Sequence, residues 1–332
     1  MAGALHAALK DRRGLWFGWS GQESQSGRTG NIDTQTNDGV TTATIDLSQR
    51  DIDEYYNGYA NRTLWPLFHY RIDLAEYESG FGKGYERVNQ RFADSLGPLI
   101  DPEDMVWVHD YPLIPLGERL RARGNKNRIG FFLHIPWPPR NLLVALPFHE
   151  RLVLTMLAYD LIGFQDEESV DSFLGYCRKE LQADVREDGT VTYDGRSVKV
   201  AAFPIGLDYD DFLEGGQSGE ARQAEQRMRS SSRYRKVIIG VDRLDYSKGL
   251  PQRFAAFGEY LSHRPDPQIR ATLLQIAPPS REDVEAYKDI RQELETITGR
   301  VNGEMAELDW TPIRYIRRNI EREILAGLYR RG

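Results

Sequence analysis

The run Val237-Ile238-Ile239-Gly240-Val241 is apolar and β-branched, and it is followed by Pro251 and by helical spacing from Phe254 to Leu261. A buried strand that feeds a helix through a short loop is one unit of an α/β chain. The same alternation recurs along the sequence. Strand-like runs cover residues 15–19, 42–46, 106–108, 129–133, 161–164 and 271–276. Helical spacing covers 3–10, 116–123, 142–157, 168–181, 281–298 and a final stretch from about Asn319. Ser48 with Asp51 marks a helix start. Asp194-Gly195 sits at the centre of a hairpin over 191–200. Residues 22–41 are polar and Gly-rich and are expected to form a loop. This alternation predicts an α/β architecture with parallel sheets. The charged stretch 214–232 separates a first block of about 230 residues from a second of about 100.

Composition narrows the function. A net charge of −7 with no basic stripe argues against nucleic acid as a partner. No apolar stretch reaches the roughly 20 residues of a membrane span. The first residues carry Lys10, Asp11, Arg12 and Arg13 after a weak apolar run, unlike a signal peptide. One cysteine, Cys177, excludes a disulfide framework and suits a reducing cytoplasm, and it reads as an inert thiol in a helix. The six histidines show no metal-ligand spacing, so no metal is expected. No glycine fingerprint of a nicotinamide site and no nucleophile elbow is present.

Arg243 and Lys248 fall in the loop between the strand near Ile239 and its following helix. Two cations beside a helix N-terminus suit a diphosphate. Read alone, such a pair more often describes a solvated loop. His134 and Asp110 follow two strand-like runs and would project at the carboxyl edge of a parallel sheet, where ligands bind. Either is also a common structural residue. Tyr55, Tyr56, Tyr59, Trp65, Phe68 and Tyr70 form a dense aromatic segment that suits sugar rings or ordinary packing. Arg281 reads as a cation at a helix start, an unfavourable place unless an anion is near.

Several segments together are more specific. These are Leu15-Trp16-Phe17-Gly18-Trp19-Ser20-Gly21, Asp53-Glu54-Tyr55-Tyr56-Asn57, Leu64-Trp65-Pro66, Trp107-Val108-His109-Asp110-Tyr111, Gly130-Phe131-Phe132-Leu133-His134-Ile135-Pro136, the Arg243 to Leu250 run and Gln275-Ile276-Ala277-Pro278. They resemble the trehalose-6-phosphate synthases, over nearly all the chain. The resemblance implies two Rossmann-like domains facing a cleft (GT-B type), at 1–225 for the acceptor and 233–332 for the nucleotide sugar, the second incomplete. It implies glucose transfer from UDP-glucose to glucose 6-phosphate with retention of configuration, without a cofactor or metal, in the cytoplasm. A homo-oligomer is compatible with it.

Carried over by position, Arg243 and Lys248 would clamp the UDP diphosphate and stabilise the leaving group. His134 would meet the donor glucose. Tyr56 and Arg281 would hold the acceptor phosphate, Asp110 an acceptor hydroxyl, and Trp19 and Trp65 would shape the acceptor pocket. Ile320 would contact uracil through its backbone. Relative to the family pattern, Met1 falls just after a Gly-Gly pair, and Gly332 falls before an Asp-Gly-Met-Asn-Leu-Val loop. The expectation from that pattern is a chain with little or no synthase activity by itself. Two other readings stand beside it: a sister glycosyltransferase with another phosphorylated acceptor, and an inactive fragment that binds sugar phosphates.

Overall fold

A computed structural model describes residues 14–24, 32–37, 39–232, 235–263, 266, 270–281 and 284–330. The helix expected at 3–10 lies outside them. The chain forms two compact units, Met1–Ile205 and Gly206–Gly332. Among the described residues the strands make three sheets.

In the first unit, β1 (Leu15–Glu23) runs parallel to β3 (Val40–Leu47), and β2 (Ile32–Asn37) runs antiparallel to it. The loop expected at 22–41 is therefore partly strand. β2 is an edge strand exposed on both faces after Ile32, so its sequence, Asp33-Thr34-Gln35-Thr36-Asn37, carries no apolar alternation to reveal it. Ser48 then caps a helix: its hydroxyl accepts the Asp51 N–H at 3.2 Å. The helix continues with wider π spacing through Ile52–Leu64 and closes at Trp65–Phe68. It packs on the helix Ser79–Leu96, which supplies Arg87 and Arg91 to the buried Asp51 carboxylate. Burial raises the Asp51 pKa, but hydrogen bonds from Ser48, Arg87 and Arg91 outweigh that and hold it below the usual range.

The second sheet has the order β4 (Met105–His109), β5 (Arg128–Phe132), β6 (Leu161–Phe164), β9 (Arg196–Ala202), β8 (Thr190–Tyr193), β7 (Asp184–Val185). The first four of these are mutually parallel. β8 pairs antiparallel with β9, the hairpin expected over 191–200, and β7 adds antiparallel beyond it, so the parallel sheet carries a mixed edge. The reason is local. Asp194 and Gly195 both take positive φ, +46° and +74°, the backbone of a tight hairpin turn. The helix expected at 142–157 is broken into Arg140–Leu143 and His149–Met156. Pro147 cannot continue a helical ladder, and Phe148 follows it at φ +58°.

In the second unit, β10 (Lys236–Val241), β11 (Ala271–Ile276) and β12 (Ile313–Ile316) form a parallel sheet. β11 is buried at every position, as a central parallel strand requires. The helices Leu250–Ser262 and Glu285–Met305 bring Phe254, Phe257 and Leu294 to a core with Leu273 and Ile313. A second core gathers Met228, Val237, Leu274, Ile276 and Leu328. The charged stretch 214–232, read as a separator, is largely the helix Gly219–Ser232, which buries Met228 in that core. Its few apolar positions explain its linker-like sequence.

Candidate active site

The strands place the predicted residues in three groups. The first is at the carboxyl ends of β4 and β5. Asp110 directly follows β4, and its N–H donates to the Phe132 carbonyl at 2.8 Å. Its Oδ1 accepts the His134 backbone N–H at 3.2 Å. Asp110 holds φ +73° and ψ 165°, a backbone region populated almost only by glycine. A strained aspartate at a parallel-strand edge is stored energy that the surrounding contacts must hold. Beside it, His109 Nδ1 lies 3.0 Å from His134 Nε2, so one ring nitrogen donates and the other accepts. Burial pushes His109 down to about 4, with the His134 ring adding to the effect. Burial pushes His134 down to about 4 as well. Both rings are therefore neutral at pH 7, which suits hydrogen bonding to sugar hydroxyls.

The second group joins the π-spaced helix to its neighbours. Trp19 of β1 meets Tyr56 edge-on at 5.2 Å between ring centroids. Trp65 is buried, with His69 at 4.1 Å and Tyr111 at 5.6 Å. Tyr111 is the residue after Asp110, and its hydroxyl donates to Asn61 Oδ1 at 2.8 Å. Trp65 thus backs the Asp110 turn from behind rather than presenting a face to solvent.

The third group is in the second unit. Arg243 and Lys248 are both exposed, in the loop after β10. Lys248 closes a short 3-10 turn, Tyr246–Lys248. Gly249 then takes φ +61°, which lets the chain enter the helix Leu250–Ser262 with Pro251 in its first turn. Behind the loop, Asp242 pairs with Arg253 at 2.6 Å, and Arg253 also donates to the buried Gln275 at 2.7 Å. A Cβ on Gly240 would meet Gln275 Oε1 at 2.2 Å and Arg253 Nη1 at 2.7 Å, so a side chain there would force these two to move.

Arg281 departs from its expected setting. The helix after it starts at Glu285, so Arg281 belongs to the preceding loop, at φ +47°. An anion is indeed beside it, and it is protein: Asp245 Oδ2 at 2.9 Å. The Tyr287 hydroxyl also donates to that oxygen, at 2.8 Å. Ile320 follows β12 and packs its side chain on the second core. His109, Asp245 and Tyr287 were not singled out by sequence reasoning. For two of them a signal existed: an acid set between two cations, and a second histidine one residue before Asp110. Cys177 is buried and pushed up to about 12 by that burial, an inert thiol. Among the described residues, no group of three or more His, Cys, Asp or Glu is placed to hold a metal ion. No helix among them is long and apolar enough to cross a membrane.

The profile of Glycosyltransferase family 20 matches residues 1–332. The chain belongs to glycosyltransferase family 20. A family relative, the trehalose-6-phosphate synthase of Sinorhizobium fredii, is 44% identical over 333 residues, spanning 100% of this chain and 72% of the relative. The α,α-trehalose-phosphate synthase (UDP-forming) of Burkholderia xenovorans, solved in complex with glucose 6-phosphate, superposes with a TM-score of 0.95 at 46% identity, covering 100% of this chain and 74% of that one. The family protein from E. coli bound with UDP-2-fluoro glucose gives 0.93 at 38% identity, covering 100% and 73%. The fold is the α/β, GT-B type of these glycosyltransferases, and the chain is a family 20 glycosyltransferase.

Proposed function

We propose that this protein transfers glucose from UDP-glucose to the anomeric hydroxyl of glucose 6-phosphate, giving α,α-trehalose 6-phosphate and UDP with retention at the donor carbon. The observation that carries the reading is the loop after β10, where exposed Arg243 and Lys248 stand at the carboxyl edge of a parallel strand and at a helix N-terminus. The two neighbours solved with glucose 6-phosphate and with UDP-2-fluoro glucose support the choice of substrates.

In this reading the bond from the donor C1 to the β-phosphate oxygen breaks, and a bond from C1 to the acceptor oxygen forms on the same face. The leaving phosphate takes the acceptor's proton. Arg243 and Lys248 stabilise the negative charge that grows on the diphosphate, which is where a fixed cation lowers the barrier. His134 hydrogen-bonds the donor glucose. Asp110 accepts from an acceptor hydroxyl, with Trp65 behind its turn and Trp19 against Tyr56. Tyr56 and Arg281 receive the acceptor phosphate, and the backbone at Ile320 meets uracil.

The test is UDP release from UDP-glucose by the purified protein, with and without glucose 6-phosphate. On this reading, release that depends on glucose 6-phosphate is expected, in contrast to the little or no activity that the family pattern leads one to expect. No release, or release indifferent to the phosphorylated acceptor, overturns the assignment; binding of both ligands without turnover would instead mark a sugar-phosphate-binding protein.

A further inference from the structure

Asp245 stands between Arg243 and Lys248, yet its side chain is fully buried. A carboxylate removed from water is costly unless it is well paired, so its partners are informative. Oδ1 accepts the Ser247 N–H at 2.9 Å, and the Asp245 carbonyl accepts the Lys248 N–H at 3.1 Å. That side fixes the turn from which Lys248 projects. Oδ2 accepts from Arg281 Nη1 at 2.9 Å and from the Tyr287 hydroxyl at 2.8 Å. Arg281 Nη1 also donates to the Tyr287 oxygen at 2.7 Å, and its guanidinium lies 5.6 Å from the centre of the Tyr287 ring. One carboxylate thus gives one oxygen to each of two loops. A separate backbone bond, Leu244 N–H to the Pro278 carbonyl at 2.9 Å, joins the same loops.

We propose that Asp245 is a positioning residue that couples two anion sites, the Arg243/Lys248 loop and Arg281, so that each is correctly set only when the other is. The proposal rests on the reading of those three cations given above. The chemistry allows Arg281 to serve both partners, because a guanidinium carries five N–H donors and can keep Asp245 while meeting a phosphate. The positive φ of Arg281 fits this role: a backbone strained for a non-glycine residue persists only where its surroundings hold it. Tyr287 is buried, which raises its pKa and keeps its hydroxyl protonated, so it remains a donor to Asp245.

The experiment is a double-mutant cycle on the full chain with Asp245→Asn, Arg281→Gln and both together. UDP and glucose 6-phosphate affinities are read by calorimetry and stability by thermal unfolding. Each single substitution is expected to weaken both ligands, by about tenfold as for loss of one charged hydrogen bond. The double variant is expected to be no worse than Arg281→Gln for either ligand and to have a higher Tm than it, because the unpaired buried charge is gone. Tyr287→Phe keeps the ring, removes only the hydroxyl, and is expected to weaken both ligands at a Tm near wild type. Loss of glucose 6-phosphate alone, or additive losses across the cycle, overturns the coupling. If the wild type binds neither ligand, the functional reading fails. The Tm cycle then judges the Asp245–Arg281 link by itself, and additive Tm losses refute it.

Discussion

His109 Nδ1 and His134 Nε2 meet at 3.0 Å across the carboxyl ends of adjacent parallel strands. Burial depresses both folded pKa values to about 4, whereas an unfolded histidine titrates near 6.5. Between those values the unfolded chain binds more protons, so protonation favours unfolding. The pair's contribution to stability is complete above about pH 6.5 and declines as pH falls toward 4. Urea midpoints across that window should fall with pH. His109→Phe removes one of the two groups and should flatten the slope; a variant slope equal to that of wild type refutes the assignment.

Asp110 offers a sharper comparison. Its φ of +73° and ψ of 165° cost a non-glycine residue about 1–3 kcal/mol. Asp110→Gly and Asp110→Ala both remove the carboxylate, but only glycine relieves the backbone. Asp110→Gly is expected to be the more stable of the two by about 1 kcal/mol or more, with both inactive in UDP release. Equal urea midpoints for the two variants would show that the backbone carries no strain.

The diphosphate loop makes its own prediction. Arg243→Ala and Lys248→Ala should each weaken UDP by about 1.5–3 kcal/mol, the usual worth of a charged hydrogen bond. Both side chains are exposed, so thermal stability should hardly change. Calorimetry giving wild-type UDP affinity for both variants would remove the loop from the donor site.

Gly240→Ala should act through packing. The added methyl meets Gln275 Oε1 at 2.2 Å and Arg253 Nη1 at 2.7 Å, and Gln275 is fully buried. Overpacking of this kind costs about 1–3 kcal/mol. Because Arg253 holds Asp242, next to Arg243, UDP affinity should drop along with the unfolding midpoint. A variant with both quantities unchanged would mean the network simply shifts aside.

Where one face of an element is buried, the sequence is a good guide. β10 and β11 read as strands because their apolar runs are long enough to name them, and the Arg243 loop follows from their position. β2 was hidden because it buries almost nothing, so no pattern marks it. The break before His149 required weighing Pro147 against otherwise helical spacing. The positions of the candidate residues at strand ends were legible one at a time. Their partners were not, because pairing is a matter of space: Arg281 and Asp245 are 36 residues apart in sequence, and His109 and His134 are 25 apart. The anion that the position of Arg281 called for was already in the chain.

The backbone at Asp110 also bears on how such a protein could lose its chemistry over time. Aspartate and glycine codons differ by a single base, and at this position glycine is the conformationally easier occupant. A lineage released from the need for glycosyl transfer would therefore find the change Asp110→Gly near in mutational distance, with relief of backbone strain set against the lost bond to the His134 N–H. On the proposed role of the Asp110 carboxylate, relatives carrying glycine there are expected to keep the fold and to show no UDP release.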